Sequence, residues 1–206
     1  MSRTATATTR YGLVPAPGGL ALVQDVVNTR AAGRPREADL LDSGLEVAQQ
    51  WIDGLAAEWA RATGAPTVEV PVLGSSDLPR LRALRDDVTE LLQRDGSAAH
   101  LRDGVTVRLT LGVDGQALVT PGGGAARWLT GAVLGEAFRA QTAGTWRRLK
   151  VCRNHACSGA FYDRSKNNSG VWHDVRTCGN VANLRASRAR RRAESSSSED
   201  AGHLSG

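Results

Sequence analysis

The architecture of this chain depends on one stretch, which runs from Cys152-Arg-Asn-His-Ala-Cys157 to His173-Asp-Val-Arg-Thr-Cys178. All three cysteines of the 206-residue chain lie within it. The spacing is Cys-x4-Cys-x15-His-x4-Cys, so two close pairs are separated by a longer excursion. When such an excursion folds back, the two pairs can supply the four corners of a tetrahedron. The spacing therefore predicts a metal site with four protein ligands.

Zinc is the metal that three thiolates and one imidazole favour. Four protein ligands leave no position open for water or substrate, so we expect one structural Zn²⁺ per chain and no catalytic metal. Residues 149–193 also need such support, because a unit of about 45 residues rarely buries enough apolar surface to fold alone. Its large apolar side chains are Leu149, Val151, Phe161, Tyr162, Val171, Trp172, Val181 and Leu184.

Two alternatives to this ligand set stay open at the level of the sequence. The cysteines could be reduced thiols that are merely buried, although their clustering favours a metal. His155, between the first two cysteines, could also replace His173 as the fourth ligand. We expect His173, because its spacing from Cys178 equals the spacing between Cys152 and Cys157.

The positive charge of the chain is concentrated around this site. Residues 146–192 hold 12 Lys and Arg against two Asp and Glu, a balance of +10. Residues 1–145 have a balance of −2, the last 14 residues a balance of −3, and the whole chain a net charge of +5. A merely well-solvated helix face would normally mix acidic with basic residues, so the asymmetry favours an anionic partner such as nucleic acid.

A basic helix is predicted directly after the last cysteine. Gly179 permits a tight turn beside the metal, and Asn180 is a suitable cap for the helix that follows. Arginines then recur at helical spacing, which suits contacts to phosphates and, for a subset, to base edges in the major groove. The predicted nucleic-acid contacts are Arg164, Lys166, Arg176, Arg185, Arg188, Arg190, Arg191 and Arg192.

The chain ahead of the cysteines has the pattern of an α+β domain. Residues 20–29 form a short apolar segment that fits a strand or a first helical turn. Apolar residues at helical spacing predict longer helices over 45–60, after Asp77 and over 125–143. Residues 105–111 alternate apolar with polar side chains, and the Asp114-Gly115 turn after them predicts a β-hairpin.

These patterns divide the chain into four parts. They are a flexible lead-in over residues 1–18, a helical α+β domain with one hairpin over 19–148, the zinc-bound finger with its basic helix over 149–193, and a disordered acidic tail over 194–206. No apolar stretch approaches the roughly 18 residues that span a bilayer, and the start of the chain is a poor signal peptide. We therefore expect no membrane partner and a cytoplasmic, nucleoid-associated protein.

No catalytic constellation is visible ahead of the cysteines. The Pro121-Gly-Gly-Gly124 run lacks the Gly-Lys-Ser/Thr that would hold a nucleotide and its magnesium. His100 is the only histidine of residues 1–145, and we find neither a Ser/His/Asp set nor paired carboxylates there. We therefore expect that this protein is not an enzyme.

The residues around the cysteines resemble the CGNR zinc-finger family of bacterial proteins. Cys178-Gly179-Asn180 matches the stretch that names the family, and the match extends back to Leu149-Lys-Val-Cys152. His173 stands where the family usually has a cysteine, and Val181 replaces the arginine of the motif. Asp25-Val-Val-Asn-Thr29 is similar to the opening of the ABATE domain that precedes the finger in this family.

The resemblance implies a transcriptional regulator that binds DNA through its finger and whose first domain senses an effector. The effector would be a small molecule bound by the N-terminal domain. The alternative is a zinc-stabilised module that binds RNA or a protein partner, since basic helices do both. The oligomeric state and the target sequence stay open.

Overall fold

The computed structural model describes residues 6–32, 37–65, 69–93, 104–113, 115, 117–154, 156–180, 184, 187–188 and 191. Within these ranges the fold is a mixture of α-helices and two small antiparallel hairpins, which confirms the predicted α+β class. The first five residues of the predicted lead-in and the predicted tail over 194–206 lie outside the described residues.

The elements follow one another as helices, a hairpin, a helix and a second hairpin. In chain order they are α1 (Leu20–Val27), α2 (Leu45–Thr63), α3 (Asp77–Gln93), β1 (Val107–Leu111), β2 (Ala117–Pro121), α4 (Ala125–Thr142), β3 (Leu149–Val151) and β4 (Ala160–Tyr162). In the first hairpin Val107 lies opposite Pro121, and in the second Leu149 lies opposite Tyr162.

Helix α1 is the centre of the fold. It packs against α2, α3, α4 and β4, and all of its residues except Ala21 are buried. The helix is only eight residues long, and a mostly apolar run of that length does not distinguish a helix from a buried strand. This is why residues 20–29 were compatible with either a strand or a helical turn.

The three longer helices form where helical spacing predicts them. Each buries one apolar stripe. In α3 the helical spacing determines which leucines belong to this stripe. Leu81, Leu84 and Val88 are buried, but the stripe continues to Leu92, eleven residues after Leu81, and leaves Leu91 exposed. Among the described helices, none combines the length and the apolar character that crossing a bilayer requires.

The predicted β1–β2 hairpin lies against α4. The packing is close and favours glycine on the helix, since a Cβ at Gly135 would lie 3.1 Å from Val119 Cγ1. Leu109 and Leu111 of β1 are nevertheless exposed. The predicted turn residue Asp114 lies outside the described residues.

Residues 6–18 pack against α1, so the prediction of a flexible lead-in is wrong for this part. The carboxylate of Asp25 is buried and accepts hydrogen bonds from Ala7 N at 3.2 Å, Thr8 N at 2.7 Å and Trp51 Nε1 at 2.9 Å. A buried carboxylate without such donors would be costly. The hydrogen bonds from Ala7 and Thr8 to Asp25 therefore hold the N-terminal segment against α1.

The second hairpin shares its core with the helices. Leu149, Val151 and Ala160 belong to the same buried cluster as the side chains of α1 to α4, and β3 packs on α3 while β4 packs on α1. A smaller cluster joins Cys152 and Cys178 to the aromatic residues of the finger. The predicted boundary after residue 148 thus falls within one continuous core.

Two amide side chains, one within α1 and one directly after it, hold β4. Asn28 Nδ2 donates to Ala160 O at 3.0 Å, and Asn28 Oδ1 accepts from Ala160 N at 2.8 Å, so the side chain pairs with the backbone as a neighbouring strand would. Gln24 Nε2 donates to the same carbonyl at 3.0 Å. All three residues are buried, and a polar group left unpaired at such a place costs about 1–3 kcal/mol.

We predict that Asn28→Leu lowers the free energy of unfolding of the full chain by about 1–3 kcal/mol, because Ala160 N–H loses its acceptor in a buried place. The same substitution at the exposed Asn167 is the matched control, with an expected change within about 0.5 kcal/mol. Urea unfolding followed by tryptophan fluorescence measures both. Equal effects of the two variants would contradict the pairing.

Candidate metal centre

Cys152, Cys157, His173 and Cys178 come together beside the second hairpin. One ligand atom of each lies within 4.8 Å of all the others. His173 Nδ1 lies 3.3 Å from Cys157 Sγ and 3.6 Å from Cys178 Sγ. A tetrahedral zinc ion separates such sulfur and nitrogen ligands by about 3.6 Å, given its usual bond lengths. The four residues therefore fit one structural zinc ion.

The first pair of ligands is carried by a tight turn between β3 and β4. Cys152 N donates to Gly159 O at 2.9 Å, which continues the pairing of the hairpin. The carbonyl of Asn154 then accepts from Cys157 N at 2.7 Å and from Ser158 N at 3.0 Å. Ser158 has a φ of 51°, the left-handed conformation that closes the turn. The turn places the two thiols in hydrogen-bonding contact.

The second pair flanks a short helical turn, Val175–Gly179, because His173 lies two residues before it and Cys178 lies in its last two residues. Asp174 caps this turn, since its Oδ1 accepts from Arg176 N at 2.6 Å, and its backbone carbonyl accepts from Cys178 N at 3.0 Å. Gly179 follows the last ligand, and a Cβ there would lie 3.3 Å from Trp172 Cε3. Gly179 has no left-handed φ, so the prediction of a tight turn that needs the conformational freedom of glycine is wrong, and the close packing is what favours glycine here.

A buried ion pair folds the excursion between the two pairs. Lys150 Nζ lies 2.7 Å from Asp163 Oδ2 and also donates to the carbonyls of Asn168 and Gly170 at 2.7 and 2.9 Å. Burial raises the pKa of Asp163, but hydrogen bonds from Lys150, Ser165 and Gly170 outweigh it and hold the pKa well below its ordinary value. The carboxylate therefore stays charged and keeps the loop closed.

Hydrogen bonds also reach the sulfur atoms themselves. Cys152 Sγ accepts from the backbone of His173 and Asn154, and Cys178 Sγ accepts from the Asn154 side chain. Gly159 N donates to Cys157 Sγ at 3.5 Å. Such contacts orient the ligands and spread the negative charge of the thiolates. The buried Asn154 was missed by the sequence reasoning, because its residue type does not reveal that it faces a sulfur.

A hydrogen bond between the first two thiols shifts their pKa values in opposite directions. The hydrogen bond from Cys157 lowers the pKa of Cys152 to about 4, and the same bond raises the pKa of Cys157 far above its usual value. Burial raises the pKa of Cys178. Metal binding requires deprotonated thiols, so uptake of zinc releases protons and weakens as the pH falls.

Five of the eight predicted nucleic-acid contacts lie among the described residues. Lys166, Arg176, Arg188 and Arg191 are exposed. Arg164 is exposed as well, but Nη2 donates to Pro15 O at 2.9 Å, which anchors its guanidinium to the N-terminal segment. The other three predicted contacts, Arg185, Arg190 and Arg192, lie outside the described residues, as does the alternative ligand His155.

The helix predicted after the metal turn is present at the described positions beyond Gly179. Its described residues are Asn180, Leu184, Ser187, Arg188 and Arg191, all in helical conformation. Arg191 Nη2 reaches Ser187 Oγ at 3.5 Å, as expected for residues one turn apart. Arg188 and Arg191, both exposed and helical, thus lie ten and thirteen residues after the last ligand, Cys178.

Residues 148–191 match the family model of the CGNR zinc finger. The matched segment contains all four residues of the metal cluster, so the resemblance predicted from the sequence is confirmed for the finger. Among curated proteins no match is found.

We predict one zinc ion per chain, held by Cys152, Cys157, His173 and Cys178. His173→Ala should lose most of the bound zinc, whereas the matched His155→Ala should keep it, because only the ring of a ligand contributes to the tetrahedron. Elemental analysis of protein purified without chelators measures both variants. The reverse result would assign the fourth ligand to His155, and a wild-type protein free of zinc would refute the site.

Proposed function

We propose that this protein is a DNA-binding transcriptional regulator, in which the zinc finger carries a basic helix to the duplex. The observation that carries the proposal is the exposure of Arg188 and Arg191 on the helix directly after the metal turn. Residues three apart lie on one face of a helix, so the two guanidinium groups can reach adjacent phosphates. Arg176, exposed within the metal turn, extends the same basic segment.

The metal centre supplies the rigidity that such a helix needs. Cys178 is the last ligand, and Gly179 packs against Trp172 at the point where the helix begins. The orientation of the helix therefore follows from the tetrahedron. A helix held in this way can enter the major groove without ordering cost at the moment of binding.

The N-terminal domain is proposed to act as the sensor. The support is the resemblance of Asp25-Val-Val-Asn-Thr29 to the opening of the ABATE domain, together with the contact between this domain and the finger, where Gln24 of α1 and the adjacent Asn28 hold β4. A small-molecule effector that shifts α1 would move the hairpin that carries Cys152. No catalytic activity is proposed for this domain, and we propose that the protein is associated with the nucleoid.

The second candidate function is a zinc-stabilised module that binds RNA or a protein. The observation that favours it is the anchoring of Arg164 to Pro15, which removes one of the predicted cations from free reach of a duplex. Direct readout by a helix predicts one preferred duplex sequence. The RNA or protein alternative predicts no preferred duplex, so a genome-wide binding profile of the tagged protein separates the two.

Arg188→Ala is predicted to weaken binding to all duplexes and to flatten the slope of log affinity against log salt by about one unit, because each neutralised phosphate contributes about 0.9 to that slope. Arg80→Ala, at an exposed position of α3, is the matched control and should leave the slope unchanged. Titrations of the full chain with labelled duplex over a salt series measure both.

The full chain is required, because β3 and β4 share their core with the helices. A salt dependence that is flat in the wild type, or zinc-loaded protein that binds single-stranded RNA but no duplex, would favour the second candidate function. An equal effect of Arg80→Ala and Arg188→Ala would show that only net charge matters.

A further inference from the structure

A cavity of about 340 Å³ lies between the N-terminal segment and the metal centre. Tyr11 and Leu13 form one wall, and the ligands Cys157, His173 and Cys178 form the other. The exposed Thr177 is also part of its lining, so the cavity reaches the surface. It is large enough to admit a small organic molecule.

The three thiols differ in their access to this cavity. Cys152 and Cys178 are only 3% and 5% exposed, whereas Cys157 is half-buried. Cys157 is thus the one cysteine that both lines the cavity and offers its side chain to solvent. A thiol must be reached before it can react, so access ranks Cys157 first.

The hydrogen bonds to sulfur place Cys152 last in this order. Cys152 accepts two backbone N–H groups, and the Asn154 amide donates to Cys178. Donors aimed at a thiolate hold the electron pair that would attack an electrophile. Cys157 Sγ accepts one such donor, the Gly159 N–H at 3.5 Å, so the hydrogen bonds distinguish Cys157 from Cys152 but not from Cys178.

We propose that Cys157 is a modification site at which a small, neutral electrophile of the α,β-unsaturated carbonyl class, after entering the cavity, alkylates the metal-bound thiolate. The sulfur lone pair forms a bond to the β-carbon of the electrophile, and the π electrons of the C=C bond move to the enolate. The enolate then takes a proton from water, so nothing is oxidised or reduced. The product is a neutral thioether, which is a far weaker ligand for Zn²⁺ than a thiolate.

Loss of this ligand acts on the finger as a whole. Cys157 and Cys178 belong to one tetrahedron, and Cys178 holds the start of the basic helix. Modification therefore releases zinc and frees that helix from its support. The N-terminal segment limits the access of the electrophile to Cys157. Its Leu13 is only 8% exposed and packs at the Gly159 side of the cavity, next to Cys157.

The test uses the zinc-loaded full chain and N-ethylmaleimide as the probe. Trypsin cleavage after Lys150, Arg153 and Arg176 places the three cysteines in separate peptides, so mass spectrometry can assign each adduct. We expect the first adduct at Cys157, formed about tenfold faster than at the other two cysteines, with one zinc ion released per adduct. A colorimetric chelator follows the zinc.

The dependence on probe concentration separates the proposal from simple loss of metal. Direct attack predicts a rate proportional to the concentration of N-ethylmaleimide. A rate independent of that concentration would mean that zinc leaves first, and it would overturn the proposal. First modification at Cys152 or Cys178, or equal rates at all three cysteines, would overturn it as well.

A matched pair of variants tests the role of the cavity. Leu13→Ala widens the wall and should speed alkylation of Cys157 about threefold or more, because the probe gains access to the sulfur. Val14→Ala, at the adjacent position that is 65% exposed, should leave the rate unchanged. Zinc content and thermal unfolding are measured first, so that a destabilised variant is recognised. Equal rates in folded, zinc-loaded Leu13→Ala and Val14→Ala proteins would show that the cavity does not admit the electrophile.

Discussion

The pairing of the Asn28 side chain with the backbone of Ala160 joins the two halves of this protein. Both residues are buried, so neither can exchange its partner for water without loss. Ala160 follows Gly159, whose carbonyl accepts from Cys152 N, and the same contact therefore positions the turn that carries the first two ligands. The geometry of the metal centre is thus set partly from α1, a helix that supplies no ligand.

The finger has two opposite electrostatic requirements. Three thiolates and one neutral imidazole on Zn²⁺ leave about −1 at the site, while residues 146–192 carry a balance of +10. Part of this positive charge is used inside the fold, since Lys150 pairs with Asp163 and Arg148 donates to two loop carbonyls. The charge that remains exposed on the helix after the metal turn is what a partner can contact. A count along the chain therefore overstates the free positive surface.

Periodicity predicted α2, α3 and α4 because each of these helices turns one face to the core and one to water. It could not resolve α1, because a mostly apolar run of eight residues fits a buried strand as well as a helix. It also failed for residues 6–18, which carry small side chains such as Ala7 and Ala16 and are held by hydrogen bonds between their backbone and Asp25 and Gln24. A backbone donor has no residue type, so such contacts leave no pattern in the sequence.

The sequence by itself determined the chemistry of the metal centre, because ligand type and spacing are local properties and a tetrahedral ion accepts few alternatives. It also determined that a basic helix follows the last ligand. The tertiary structure decided which sulfur is the most exposed, which cations are free, and how the N-terminal half holds the finger. These depend on contacts such as that of Asn28 with Ala160, 132 residues apart, and long-range packing selects such partners by shape and burial and not by spacing along the chain.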